Sequence, residues 1–197
     1  GGSAELRPFV GTPRLPNLDF VVQGSTPVRR GVTASGFILW GRDENFFEWS
    51  PADIDYIDAT LDYRPTEQLR LEGRYQLQSF KRRSDGTTVG RRHIPRLKIE
   101  YQLTRATFLR VVGEYDLTRQ DDLRDDGRTE RPLVTRDPVT GLYDRALGFE
   151  TKGLRLDFLF SDQPVPGTVI FAGYGSRLRD EEGPFRGRLR RESDGFF

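Results

Sequence analysis

A chain of 197 residues that is only 35% hydrophobic and 31% charged is poorly supplied for a conventional buried core, yet its 14 Phe, 7 Tyr and 2 Trp argue against disorder, which goes with few aromatics. The 31 basic and 30 acidic residues leave a net charge of +1, which excludes a global field for nucleic acid. The absence of cysteine excludes disulfide scaffolds and thiolate metal sites, and no stretch approaches the ~20 consecutive apolar residues of a membrane helix.

Residues 17–23 and 31–42 are rich in Val, Ile and Phe and read as strands joined by a turn at 24–30, although their alternation is imperfect. Over 54–65, Ile57, Ala59, Leu61 and Tyr63 alternate with Asp58, Thr60, Asp62 and Arg64. The clearest segment is 68–80, where Leu69, Leu71, Gly73, Tyr75 and Leu77 alternate with Arg70, Glu72, Arg74 and Gln76. A helix would align Leu69 with Glu72, Gly73 and Gln76 and have no apolar stripe, so the period is two.

The pattern recurs over 94–104, with Leu97, Ile99, Tyr101 and Leu103 against Arg96, Lys98, Glu100 and Gln102. Over 107–119, Leu109, Val111, Gly113, Tyr115 and Leu117 alternate with Arg110, Val112, Glu114 and Asp116. Over 150–162, Leu154, Leu156, Phe158 and Phe160 alternate with Arg155, Asp157, Leu159 and Ser161. An eighth strand at 167–178 carries Ile170 and Tyr174. Clean strands of about ten residues, apolar on one face and charged on the other, predict an all-β antiparallel transmembrane barrel.

The connections are predicted to alternate. Short turns lie at Pro65-Thr66-Glu67, Arg105-Ala106 and Pro164-Val165-Pro166, and long polar loops at about 43–53, 81–93, 120–149 and 179–195. In bacterial outer-membrane barrels the short turns are periplasmic and the long loops extracellular. Tyr63, Tyr101 and Phe160 then form a periplasmic girdle, with Tyr115 and Tyr174 near the outer ends. This orientation starts the first strand outside the cell and makes Phe196-Phe197 the start of a cut-off strand. The chain is therefore expected to be a single segment, residues 1–197, the C-terminal part of a larger barrel lacking its N-terminal half and last strand.

Two stretches carry a family resemblance. One is Ile94-Pro95-Arg96-Leu97-Lys98-Ile99-Glu100-Tyr101-Gln102-Leu103-Thr104-Arg105 followed by Phe108-Leu109-Arg110-Val111-Val112. The other is Phe158-Leu159-Phe160-Ser161 with Pro164-Val165-Pro166-Gly167-Thr168-Val169-Ile170-Phe171 and Gly173-Tyr174-Gly175. Over roughly residues 50–197 the chain resembles the C-terminal outer-membrane β-barrel of bacterial proteins that carry a family-9-like carbohydrate-binding domain at the N-terminus. The resemblance implies an outer-membrane location in Gram-negative bacteria, a possible link to carbohydrate binding or uptake, and no sugar-binding residue in this chain. In that family the chain continues past an aromatic pair into a last strand.

Fourteen charges fall on the inward parity: Asp58, Asp62, Arg64, Arg70, Glu72, Arg74, Arg96, Lys98, Glu100, Arg110, Glu114, Asp116, Arg155 and Asp157. They either select solutes in a pore or pair across strands to fill a wet interior. The lipid-facing set is Leu61, Tyr63, Leu71, Tyr75, Leu97, Ile99, Tyr101, Leu109, Val111, Tyr115, Leu156, Phe158, Phe160, Ile170 and Tyr174. The acidic loop Asp121-Asp122-Leu123-Arg124-Asp125-Asp126-Gly127 lacks the spacing of a twelve-residue calcium loop and reads as solvated, as do the acids of 179–183. Lys81, Arg82, Arg83, Arg91 and Arg92 read either as lipopolysaccharide contacts or as solvated loop. His93 is the single histidine and reads as a strand-start residue, so a surface hydrolase has no evident triad. The glycines of Gly173-Tyr174-Gly175 are expected to relieve crowding or permit a bulge.

The sequence thus predicts a non-enzymatic outer-membrane barrel, an anchor or solute pore, with no cofactor or metal. Its expected partners are membrane lipid, lipopolysaccharide and other protein subunits, without nucleic acid. The alternative is a β-sheet structural subunit of a larger assembly whose apolar face is covered by a partner protein.

Overall fold

The computed structural model describes residues 6–15, 17–165, 167–180 and 189–196. They form strands and no helix. The strands are β1 Leu18–Ser25, β2 Val32–Asn45, β3 Ser50–Tyr63, β4 Leu69–Arg82, β5 Thr88–Gln102 and β6 Thr107–Gln120, then β7 Val134–Arg136, β8 Tyr143–Arg145, β9 Phe149–Val165, β10 Thr168–Asp180 and β11 Arg190–Phe196. Nine of them make one antiparallel sheet in the order β1-β2-β3-β4-β5-β6-β9-β10-β11, and β7 and β8 form a separate hairpin between β6 and β9. The sheet is not closed: β1 and β11 are its edges.

All eight expected strands are present, and the structure adds three. Phe196 ends β11 rather than starting a new strand, with Tyr174 as its register partner. Two expected long loops are tight hairpins, because β2 and β3 extend to residues 45 and 50, and β4 and β5 to residues 82 and 88. His93 accordingly lies inside β5. The connection at 121–148 remains long; of 179–195, Arg179 and Asp180 close β10 and residues 190–195 belong to β11, while 181–188 lie outside the described residues, as do Pro166 and Phe197. At the opposite end, Gly31 (φ 76°) sits where a Cβ would lie 2.3 Å from the Arg64 carbonyl oxygen. Only glycine permits that approach between the 26–31 turn and the end of β3.

Among the described residues no second layer covers the nine-stranded sheet. Among the described residues the only buried apolar side chains are Ala52 and Val89. The accessible surface is 14042 Å², against about 9,500 Å² for a monomeric globular protein of 22.6 kDa. The excess is what a single sheet with two open faces must expose.

Candidate functional site: a two-faced wall and a clasp at its rim

Directly opposed residues on antiparallel neighbours share a face, so the register sorts the side chains. One row runs Tyr63–Leu71–Ile99–Val111–Phe158–Tyr174–Phe196 across seven strands. The row toward the short turns carries Leu69, Tyr101, Leu109 and Phe160. The row on the other side carries Leu61, Leu97 and Leu156, with Gly73 and Gly113 between them. Further out come Tyr75, Tyr115 and Leu154, then Ile57, Leu77, His93 and Leu117. There the apolar band ends on Asp55, Ser79, Arg91, Arg119 and Glu150. All fifteen expected apolar positions share this face, including Ile170 opposite Asp162.

Aromatic rings mark both margins of the band. His93 sits edge-on between Tyr75 and Tyr115 at 6.4 and 6.3 Å, at the margin away from the short turns. Tyr174 is a correction: it pairs with Phe158 and Phe196, in the row of Tyr63 at the short-turn margin. Its row is fixed by the β9–β10 turn and by a register shift between Thr168 and Ile170. The β10 irregularities fall there and at Arg177/Leu178, not within 173–175. Gly175 does relieve crowding, since a Cβ there would lie 3.1 Å from an Asp157 carboxylate oxygen.

The opposite face carries the charges. Among the described residues, all of the fourteen inward-parity side chains but Arg110 make an ion pair. Arg74 donates to both carboxylate oxygens of Asp58 at 3.0 and 2.6 Å. Arg70 donates to Asp62 at 2.7 Å and reaches Glu100 at 3.3 Å. Lys98 meets Glu72 at 2.8 Å and Arg155 meets Asp157 at 2.8 Å. Arg96 approaches Glu114 only to 3.9 Å, and its Nε is buried without a hydrogen-bond partner. Such half-exposed pairs contribute about 0.2–1 kcal/mol each; they keep the face wet and set its local charge.

The alternation is not strict throughout. On β1 and β2, Val21, Phe37 and Leu39 share the charged face through their pairing with one another and with Tyr56 and Asp58, and Phe37 meets Tyr56 edge-on at 5.7 Å. Phe20 and Trp40 stack at 5.9 Å on the apolar face. This corner of the sheet is apolar on both sides, which is why its sequence shows no clean period.

At the long-loop end the structure builds a buried polar clasp. Asn45 turns the chain by accepting the Phe47 amide at 3.0 Å on its side chain. The resulting tip, residues 46–49, folds over the charged face. Phe47 packs edge-on to Phe80 at 5.7 Å and lies where a Cβ on Gly90 would be 2.9 Å from its ring. Beside it Glu48 and Arg82 are both 1% exposed, with Arg82 donating to Glu48 at 2.7, 2.9 and 3.2 Å. Arg82 also donates to Thr87, Asp121 and the Asp122 carbonyl, and Glu48 accepts the Arg124 amide at 2.9 Å. The 121–148 connection is thereby tied across the sheet end to the β2–β3 tip.

Arg82 is a second correction, since this buried set leaves it no freedom to meet phosphate outside. Lys81, Arg83 and Arg92 also lean on acids, Asp55, Asp53 and Asp116. The acids of 121–127 are engaged as well. Asp126 is 2% exposed and accepts from Ser84 at 2.6 Å and from Arg124 at 2.7 Å. Asp122 accepts the Gly148 amide and Asp125 the Thr129 hydroxyl. The Asp85 carboxyl is held well below the usual carboxylate range by the Thr87 amide, then the Thr87 hydroxyl and Arg124. Among the described residues no group of three or more His, Asp and Glu is placed to hold a metal ion.

Comparison with protein-family models, with curated proteins and with solved structures finds no match to this chain.

Proposed function

We propose that the sheet is part of the wall of an outer-membrane β-barrel, serving as an anchor or as the lining of a solute path rather than as an enzyme. The observation that carries this reading is the bounded apolar band on a face that nothing among the described residues covers. From Leu69 to Leu77 the band spans eight residue steps, about 27 Å along the strand and roughly 20 Å across a bilayer at a tilt near 40°. Outer-membrane barrels present an apolar belt about 25 Å tall between aromatic girdles. The charged face then lines the interior, and the clasped 121–148 connection lies at the outer mouth.

The sheet edges support the same reading. In hydrocarbon each unpaired backbone group costs several kcal/mol, so a spanning sheet must close. Nine alternating strands leave β1 and β11 parallel to one another. Antiparallel closure therefore requires an odd number of further strands, or an equivalent partner surface. A link to carbohydrate binding or uptake rests on the family resemblance alone.

The absence of native cysteine makes the test direct: spin labels on single cysteines at 97, 98, 99 and 100, with the chain in phospholipid vesicles. Labels at 97 and 99 should collide with dissolved oxygen, and labels at 98 and 100 with a water-soluble nickel chelate. Equal chelate access at all four positions, or a chain that stays monomeric in buffer without detergent, refutes the reading.

A further inference from the structure

On the charged face one register row stands apart: Arg74–Arg96–Glu114–Arg155–Arg177. Like charges directly opposite each other destabilise a sheet, yet Arg74 faces Arg96 and Arg155 faces Arg177. Ion pairs, one across strands and one along β9, satisfy only part of the row. Arg74 is taken by Asp58 and Arg155 by Asp157. Among the described residues Arg96 has one acidic approach, to Glu114 at 3.9 Å, and its Nε is buried without a hydrogen-bond partner. Arg177 makes no ion pair among the described residues. A groove of about 310 Å³ lies at the β6–β9–β10 end of the row, where Glu114, Arg155 and Arg177 line it together with Asp116, Lys152 and Glu192.

We propose that this row is a binding track for an oligoanion, a solute carrying several phosphate or carboxylate groups. The proposal rests on the wall reading above, which places the row in water and away from lipid headgroups. Guanidinium forks match phosphate and carboxylate oxygens, and arginine holds its charge at any physiological pH. At ~4.8 Å per strand the row from β4 to β10 extends about 19 Å, long enough for several linked anionic groups and too long for one small ion to satisfy. Glu114, the one acid in the row, opposes binding and gives the track a weak point between its two arginine pairs.

The test uses the full chain in micelles of a neutral detergent at low ionic strength, where screening is smallest. Tripolyphosphate and an oligogalacturonate are titrated calorimetrically, as phosphate and carboxylate probes. Binding of at least one is expected. The double variant Arg96→Gln/Arg177→Gln should weaken it about tenfold or more, the loss of at least one charge-assisted contact. Arg91→Gln, on the other parity, should change it by less than about twofold. Glu114→Gln should tighten binding, an outcome that misfolding cannot mimic. Binding of neither probe, equal losses in the row variant and in Arg91→Gln, or weaker binding in Glu114→Gln overturns the proposal. The spin-label pattern of the single-cysteine chains at 97–100 in vesicles separates failure of the track from failure of the wall: alternating labels without binding reject the track alone.

Discussion

Leu97 occupies the middle row of the apolar band and is 50% exposed, so the two environments open to it predict opposite costs for Leu97→Arg. In water, a half-exposed leucine replaced by arginine changes stability by no more than about 0.5 kcal/mol. Facing hydrocarbon near the midplane, the arginine costs about 3 kcal/mol, whereas near the interface it costs about 1 kcal/mol or less. Leu109 lies two rows closer to the short turns, in the last row of the band, and supplies the shallow control. Urea unfolding from thin phospholipid vesicles, followed by the fluorescence of Trp40 and Trp49, should therefore show about 3 kcal/mol lost for Leu97→Arg, a factor of roughly 150 in the folded-to-unfolded ratio. Leu109→Arg should lose about a third as much. A loss at position 97 below about 0.5 kcal/mol, or equal losses at the two depths, refutes the claim that this face meets lipid.

Three further outcomes concern the rim. Glu48→Gln removes the buried one of Arg82's two counter-charges, leaving Asp121, and should cost about 3 kcal/mol locally, read as accelerated exchange of the Arg124 amide and protease cleavage within 121–148; unchanged protection would show that the clasp does not hold the connection. Because the Asp85 carboxyl titrates below its unfolded value of 3.8, its stabilisation is complete above about pH 4 and lost as the pH falls through the folded value. Protease resistance of 121–148 should thus persist into moderate acid and fall in strong acid, and Asp85→Asn should lower resistance at pH 6 and abolish that part of the acid dependence. Gly90→Ala places a methyl 2.9 Å from the Phe47 ring and should destabilise by about 1–3 kcal/mol; an unchanged unfolding midpoint would mean that the 46–49 tip is not packed there.

The period-two strands were legible because apolar and charged residues alternate along each of them, so that the register gathers Leu71 and Ile99 on one face and Glu72 and Glu100 on the other. Above the band that contrast vanishes. Apart from Pro51 and Val89, residues 43–45, 50–53 and 88–92 are polar or small on both parities, and continuing strand there is indistinguishable from loop. β11 was hidden for the same reason: Arg190-Arg191-Glu192-Ser193-Asp194-Gly195 offers no alternation, and only its ladder with β10 defines it. The depth of Tyr174 depended on a turn and a bulge that side-chain chemistry does not reveal. The Glu48–Arg82 pair joins residues 34 apart, and nothing in either neighbourhood signals the other. Within the charged face the parity was readable, but the opposition of arginines along one row required the register.

The ladder does not stop where the apolar band stops. From Asp55 back to Ser50, β3 remains paired with β2, and with β4 as far as Ala52, for five more residue steps, about 17 Å along the strand. In a membrane this would raise a stiff hydrogen-bonded chimney above the hydrocarbon, with its mouth out among the headgroups and sugars rather than flush with them. A solute arriving from outside would meet a rigid vestibule before it met the membrane's depth. Its first sieve would then be the shape of that vestibule and the loop drawn across it, whatever the charges further down select.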